Sequence, residues 1–143
     1  MTDSLFITCS QCGAKNRLPA SKLSDAPNCG KCKQSIFSHS VIELDDSNFQ
    51  RFIQNNDMPI VVDFWASWCG PCQHFAPVFQ QTSTLFLDKV RFVKVNTEQA
   101  QQTAAMYGIR SIPSLLVFKN GKELTRQAGA MDQSNFTRWL SQF

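Results

Sequence analysis

The chain has 143 residues, of which 43% are hydrophobic, and it carries a net charge of +3. This length and composition suit one ordinary domain with a small additional module, and they exclude an extensively disordered chain. No apolar run approaches the roughly 20 residues that a membrane helix needs, so we expect no membrane partner.

The N-terminal stretch MTDSLFITCSQCG has neither a basic segment nor a long apolar run. We therefore expect no secretory signal and a cytoplasmic location. In a reducing compartment, cysteines more often bind metals or act in catalysis than form structural disulfides.

Charge and apolar content both divide the chain near residue 40. Residues 1–40 carry five basic and two acidic residues, whereas the remainder balances nine of each. Residues 8–35 contain few large apolar side chains and many turn formers, so this segment needs a metal or disulfides to become ordered. We predict a small zinc-binding module over 1–40 and a larger domain over 41–143. The modest basic excess is typical of a solvated surface, and we do not expect nucleic acid as a partner.

Two Cys-x-x-Cys pairs, separated by 16 residues, lie in the first part: Cys9, Cys12, Cys29 and Cys32. This spacing is typical of a zinc-ribbon-like site, in which two knuckles hold one structural Zn²⁺ with four thiolates. Gly13 suits the tight turn after the first pair, whereas Lys33 departs from that pattern. Two disulfides or a second redox pair are the alternatives. Neither pair opens a clear helix or follows a buried strand, so zinc is the favoured interpretation.

Beyond residue 40, hydrophobic periodicity predicts strands that alternate with helices. Strands are predicted at 41–44, 60–66, 90–95, 114–118 and 123–128. Helices are predicted after the capping groups of residues 45–47, from Cys69, over 98–107 and after Asp132. The helix from Cys69 is expected to turn five apolar side chains inward: Phe75, Val78, Phe79, Leu85 and Phe86. The order βαβαβαββα predicts an α/β fold with parallel pairing first and an antiparallel hairpin at Asn120-Gly121.

The third pair, Cys69 and Cys72, follows a buried strand and opens a helix. Cysteines three apart at a helix start lie on one face, so their sulfurs can meet in a disulfide. Free backbone N–H groups and the helix dipole favour a thiolate at Cys69. Pro71 suits the first helical turn, and Gly70 leaves the sulfur accessible. A metal knuckle or an inert thiol pair is the alternative, but this context favours redox chemistry.

A resemblance to the thioredoxin family is carried by three segments: Asp63-Phe64-Trp65-Ala66-Ser67-Trp68-Cys69-Gly70-Pro71-Cys72, Ile112-Pro113-Ser114 and Phe118-Lys119-Asn120-Gly121. It covers about residues 41–143 and implies the thioredoxin fold, a central mixed sheet flanked by helices. It also implies protein-disulfide reduction, with Cys69 as the nucleophile and Cys72 as the resolving cysteine. Together with the four-cysteine module, the whole chain resembles the zinc-containing bacterial form of this family.

The resemblance implies roles for the residues around the pair. Asp63, the only charge in the run 60–66, matches the acid that accepts the Cys72 proton, since burial would raise its pKa. Lys94 matches the lysine near that acid, and Trp65 would pack under the active loop. A solvent-facing aspartate and an ordinary surface lysine are the alternatives.

Substrate binding is implied for the segment around Pro113, which matches the thioredoxin cis-proline. A cis bond there would turn the Ile112 backbone toward Cys69, where substrate could pair as an added strand. The implied apolar rim around the sulfur consists of Trp68, Ile112, Gly129 and Ala130.

The resemblance further implies re-reduction by an NADPH-dependent thioredoxin reductase, with protein disulfides as substrates and no bound organic redox cofactor. We expect a monomer. The competing hypothesis is a binding module, in which the zinc ribbon recruits a protein or nucleic acid and the larger domain serves as a scaffold.

Overall fold

The computed structural model describes residues 4–143, so the first three residues of the predicted module lie outside the described part of the chain. The N-terminal part contains an antiparallel hairpin of β1 (Ser4–Thr8) and β2 (Lys15–Pro19), followed by a 3-10 helix at Ala20–Asp25. Sequence periodicity did not indicate this hairpin, because its two strands are five residues each and only Ile7 and Thr8 are buried.

The larger part contains five strands: β3 (Val41–Leu44), β4 (Ile60–Trp65), β5 (Arg91–Asn96), β6 (Ser114–Lys119) and β7 (Lys122–Ala128). They form one sheet in the order β3-β5-β4-β6-β7. Strands β3 and β4 run parallel to β5, whereas β6 runs antiparallel to both β4 and β7. The predicted α/β fold with a mixed sheet and an antiparallel edge hairpin is confirmed.

Four helices flank this sheet: α1 (Phe49–Gln54), α2 (Gly70–Ser83), α3 (Gln101–Met106) and α4 (Gln133–Leu140). Asp132 caps α4 as predicted, because its Oδ1 accepts a hydrogen bond from the Asn135 N–H at 2.8 Å. No helix within residues 4–143 combines the length and apolar character that crossing a membrane requires.

Two details of the helices differ from the predictions. Asp46 does not cap α1; its carboxylate accepts the Thr103 N–H at 2.8 Å and so satisfies the first turn of α3. Leu85 lies beyond the end of α2 and is 59% exposed, so it does not enter the core. Both differences depend on where distant elements meet, which local periodicity does not encode.

The core consists of two apolar layers, one on each face of the sheet. Successive residues of β4 alternate between them, with Val61 packing against α2 and α4, and Val62 against α1. Because both faces are covered, β4 is a nearly continuous apolar run rather than an alternating one. The one ionisable residue in this buried strand is Asp63, which is 3% exposed.

Candidate active site and metal centre

The Cys69-Cys72 pair lies at the N-terminus of α2. Cys69 is the N-cap residue in an extended conformation, and its Sγ accepts a hydrogen bond from the Cys72 N–H at 3.2 Å. The two sulfurs are joined as a disulfide, with the Cα atoms 5.3 Å apart. Pro71 occupies the first helical turn, where a missing N–H is tolerated. A side chain at Gly70 would meet no atom within 4 Å, so this glycine borders open space.

Exposure does not distinguish the two cysteines in this oxidised form. Each of them is 3% exposed, although Gly70 was expected to leave the Cys69 sulfur accessible. The difference between them lies in position: Cys69 precedes the helix and faces its free N–H groups, whereas Cys72 belongs to the helix.

The segment around Pro113 lies directly against the Cys69 sulfur. The Ile112–Pro113 peptide bond is cis, and the Ile112 carbonyl oxygen lies 3.7 Å from Cys69 Sγ. Gly129 N–H donates to the Pro113 carbonyl at 2.8 Å, which joins the start of β6 to the end of β7. Trp68, which precedes Cys69 in the chain, is 72% exposed, and Ala130 is also exposed. Partly buried Ile112 and Gly129 complete the set of predicted rim residues.

Asp63 is the buried acid of this region. Burial raises its pKa from 3.8 to about 7, and the positive charge of Lys94 opposes that rise. Asp63 and Lys94 are register partners on β4 and β5. The Asp63 Oδ1 atom has no hydrogen-bond partner among the described residues, and no direct hydrogen bond joins its carboxylate to Cys72. Lys94 Nζ lies 4.7 Å from the ring centroid of half-buried Trp65.

Sequence reasoning missed a set of hydrogen bonds that ties down the loop before Cys69. The Glu98 carboxylate accepts both the N–H and the hydroxyl of Ser67, at 3.1 and 2.7 Å. Gln73 Nε2 donates to the Ser67 carbonyl at 2.9 Å. These bonds, led by the Ser67 hydroxyl, hold the pKa of Glu98 below its ordinary value. His74, which follows Gln73 in α2, is exposed to solvent.

The four upstream cysteines meet at one point, with all four sulfurs within 4.8 Å of one another. The Cys9–Cys32 and Cys12–Cys29 sulfur pairs are each 3.7 Å apart, and none of the four forms a disulfide. A tetrahedral Zn²⁺ with Zn–S bonds of about 2.3 Å places its sulfurs about 3.8 Å apart. The donor set and its spacing therefore fit a zinc ion. His39 is not a member of this cluster; its Nε2 donates a hydrogen bond to Gln11 Oε1 at 2.9 Å.

The two knuckles repeat one backbone pattern. The Gly13 and Lys33 N–H groups donate to the carbonyls of Cys9 and Cys29, each at 3.0 Å. Gly13 has φ of 78° and Lys33 has φ of 68°, so the lysine adopts the conformation that its partner knuckle gives to glycine. The Lys33 ammonium donates to the Gly30 carbonyl at 2.7 Å, within the same knuckle.

Backbone and side-chain hydrogen-bond donors also stabilise the thiolate form of Cys29. The Cys32 N–H, the Asn16 amide and the Lys31 N–H stabilise the charged sulfur and lower the pKa of Cys29 to about 6. The Lys31 N–H lies 3.4 Å from this sulfur, and the Asn16 Nδ2 lies 3.5 Å from it. Metal ligands must be deprotonated, so these donors favour binding.

The cysteine module packs directly against the larger domain. The Thr8 N–H donates to Asn56 Oδ1 at 2.9 Å, and the Phe6 N–H donates to the Asp57 carboxylate at 2.7 Å. Met58 of the larger domain is buried in the module's own apolar cluster, beside Ile7 and Ile36. The module therefore completes its small core with a residue from outside it, as its poor apolar content requires.

Comparison with known proteins identifies both parts of the chain. A family model described as Thioredoxin matches residues 40–142, and a second, described as Thioredoxin 2, N-terminal, matches residues 8–34. Thioredoxin C-3 of Corynebacterium nephridii is 41% identical over 138 residues, which cover 96% of this chain and 94% of that protein. Thioredoxin of Haemophilus influenzae is 41% identical over 102 residues, which cover 71% of this chain and 95% of that protein. Thioredoxin 1 of a Nostoc species is 41% identical over 98 residues, covering 68% of this chain and 92% of the relative.

Proposed function

The chain belongs to the thioredoxin family and acts as a protein-disulfide reductase, and we propose that Cys69 is its nucleophile and Cys72 its resolving cysteine. One observation carries this assignment: the Cys69 sulfur sits at the N-cap of α2 and accepts the Cys72 N–H at 3.2 Å. Backbone N–H groups at a helix start stabilise a thiolate, and the thiolate is the attacking species.

In the proposed cycle, the Cys69 thiolate attacks one sulfur of a substrate disulfide. The substrate S–S bond breaks, a mixed disulfide forms, and the first substrate thiolate leaves. The Cys72 thiolate then attacks the Cys69 sulfur, forms the Cys69–Cys72 disulfide and releases the second substrate thiolate. Two electrons pass from the protein to the substrate, and the protein ends in the oxidised form that the structure shows.

Asp63 is the proposed acceptor of the Cys72 proton. Its raised pKa of about 7 places it near neutrality, where a base can both take up and release a proton. Because no direct hydrogen bond joins the two groups, the proton would pass through an intervening water. Lys94 is proposed to lower this pKa through its positive charge. Trp65 is proposed to hold the Lys94 ammonium over its ring and to pack under the active loop.

Substrate is proposed to bind along the rim formed by Trp68, Ile112, Gly129 and Ala130. The Ile112 carbonyl faces the Cys69 sulfur at 3.7 Å, and Pro113 fixes the adjoining backbone. An extended substrate segment could pair with this backbone while Trp68, exposed and apolar, covers its side chains. Gly70 and Pro71 would keep the approach to the sulfur open and the helix start fixed.

The test compares the same substitution at the two positions. Cys69→Ser should abolish insulin-disulfide reduction and form no mixed disulfide, whereas Cys72→Ser should lose turnover and accumulate a mixed disulfide with substrate. An alkylating reagent near neutral pH should modify residue 69 first in the reduced, metal-loaded protein. Full activity of Cys69→Ser, or first alkylation elsewhere, would reject the assignment.

The four clustered cysteines are proposed to hold one structural Zn²⁺. A zinc ion bound there would cross-link the module. It would have no open position for catalysis, because four thiolates complete its coordination. The match of residues 8–34 to a module named for this family makes the zinc ribbon part of one architecture with the reductase rather than a competing function. Metal analysis of the purified protein, with a ratio near one zinc per chain, would support this proposal.

The remaining assignments follow from family membership. Thioredoxin-family proteins accept electrons from a thioredoxin reductase and pass them to disulfides, and we propose that the donor here is NADPH-dependent. We further propose a cytoplasmic monomer without nucleic acid or membrane partners, divided into a module at 1–40 and a thioredoxin domain at 41–143. Unpaired thiols at four clustered positions suit a reducing compartment.

A further inference from the structure

Arg91, the first residue of β5, is a buried cation outside the active site. It is 3% exposed, although arginine is rarely buried without a charged partner. Its Nη1 donates to the Thr8 carbonyl at 2.8 Å and to Asn56 Oδ1 at 3.0 Å. The guanidinium therefore lies at the junction between the cysteine module and the thioredoxin domain.

Aromatic rings from both parts contact this guanidinium. Its central carbon lies 5.1 Å from the ring centroid of Phe37 and 5.3 Å from that of Phe52. Such contacts hold a planar cation in place but do not neutralise it. The Nη2 atom is buried and has no hydrogen-bond partner among residues 4–143, and no carboxylate forms an ion pair with Arg91 there.

A buried charge needs a counter-charge, because removing an ion from water costs several kcal/mol. Burial lowers the pKa of Arg91 to about 10, whereas negative charge at Cys9 would favour the charged guanidinium and oppose that fall. Thr8, whose carbonyl Arg91 contacts, is bonded directly to Cys9. Four thiolates around one Zn²⁺ carry a net charge of two minus, which exceeds that of one cysteine.

We propose that Arg91 is the outer-sphere counter-cation of the zinc–thiolate cluster, and that metal retention by the module therefore depends on a residue of the thioredoxin domain. This inference rests on the zinc site proposed above. Residues that support metal ligands from outside the coordination sphere typically contribute 10- to 100-fold to affinity. Arginine suits this position because its Nη1 donates to both Thr8 and Asn56 while the guanidinium keeps further N–H groups and a permanent charge.

The experiment measures zinc affinity of the full chain by competition with a chromophoric chelator, in the presence of a phosphine reductant. Arg91→Gln and Arg91→Met both remove the charge, and Gln keeps one donor, so either variant that folds decides the question. Arg91→Lys keeps the charge but loses the fork. The matched control is Arg51→Met, because Arg51 is an exposed arginine that lines a cavity together with Cys9 and Cys12.

Neutral variants at position 91 should bind zinc about 10- to 100-fold more weakly than the wild type. Arg91→Lys and Arg51→Met should stay within about threefold of it. The increase in melting temperature between chelator-treated and zinc-loaded protein is a second readout, and a purely structural role of Arg91 would leave this increase unchanged. The zinc-dependent increase should shrink in the neutral variants, whereas loss of two hydrogen bonds alone would lower both melting temperatures in parallel.

Three results would overturn the inference: wild-type zinc affinity in the neutral variants, an equal loss in Arg91→Lys, or an equal loss in Arg51→Met. Metal analysis of the wild type separates this failure from a failure of the zinc site itself. A wild-type protein that binds no zinc would overturn both proposals, whereas a zinc-loaded wild type with unaffected Arg91 variants would overturn only the role of Arg91.

Discussion

Replacing Asp63 with asparagine should stabilise the protein, and by an amount that depends on pH. The Asp63 pKa rises from 3.8 in the unfolded chain to about 7 in the folded one, because burial disfavours the carboxylate. At about 1.4 kcal/mol per pKa unit, this shift corresponds to roughly 4 kcal/mol. Between the two pKa values the folded state binds a proton that the unfolded state has released, so stability falls as the pH rises through this window.

Asp63→Asn removes the titrating group but keeps the shape of the side chain. The free energy of unfolding of the variant minus that of the wild type should be near zero at pH 4. It should rise to about 4 kcal/mol at pH 8 and stay constant above that. Urea titrations of the oxidised, zinc-loaded proteins at several pH values measure this difference, in which contributions from the other titrating groups cancel.

Asp25→Asn provides the matched control, because Asp25 is an exposed aspartate outside the sheet. It should change the free energy of unfolding by less than about 0.5 kcal/mol at each pH. A difference curve for Asp63→Asn that is flat with pH, or that has its midpoint below pH 5, would refute the burial argument. Insulin reduction by Asp63→Asn should also be slower than by the wild type near neutral pH, since the proposed proton acceptor is absent.

Three further predictions concern the neighbouring charge, the knuckles and the rim. Lys94→Met should move the midpoint of the Asp63 stability curve to higher pH, since Lys94 lowers that pKa; an unchanged midpoint in urea titrations would contradict this. Gly13→Ala should lower the unfolding free energy of the zinc-loaded protein by about 1–2 kcal/mol, because Gly13 has φ of 78°. Lys33→Gly should instead raise it by less than about 1 kcal/mol, because Lys33 has φ of 68°. A loss of stability of the same size in both variants would exclude backbone strain as the cause. Trp68→Ala should raise KM for a protein disulfide about fivefold or more while leaving a small aromatic disulfide unaffected; equal kinetics with both substrates would count against a binding rim.

Local sequence signals predicted most of the larger domain. The strand 41–44 is observed with the predicted bounds, and the helix from Cys69 begins within one residue of its predicted start. These elements follow from apolar periodicity and from motifs of adjacent residues, which need no knowledge of distant packing. The four-cysteine cluster was also predictable, since the spacing of its two pairs is typical of a zinc-ribbon-like site.

Long-range packing produced what the sequence did not indicate. Asp46 resembles a cap for the helix that follows it, yet it caps α3, 57 residues further along the chain. The Ser67–Glu98 pair joins two loops, and Arg91 looks like the polar start of an ordinary strand until Thr8 and Asn56 enclose it. A single sequence shows such residues only as isolated polar positions, because their partners are set by the tertiary fold.

The hydrogen bonds from Phe6 and Thr8 to residues 55–57 limit where the chain can be truncated or exchanged with that of a relative. The family models divide the chain near residue 40, but Asn56 and Arg91 are covered by what precedes that division. A fragment that starts at residue 41 would expose the Asn56 amide and the Arg91 guanidinium and would remove Thr8, their hydrogen-bond partner. Exchange of residues 1–40 between relatives would therefore have to keep the matching partners at residues 55–57 and at Arg91.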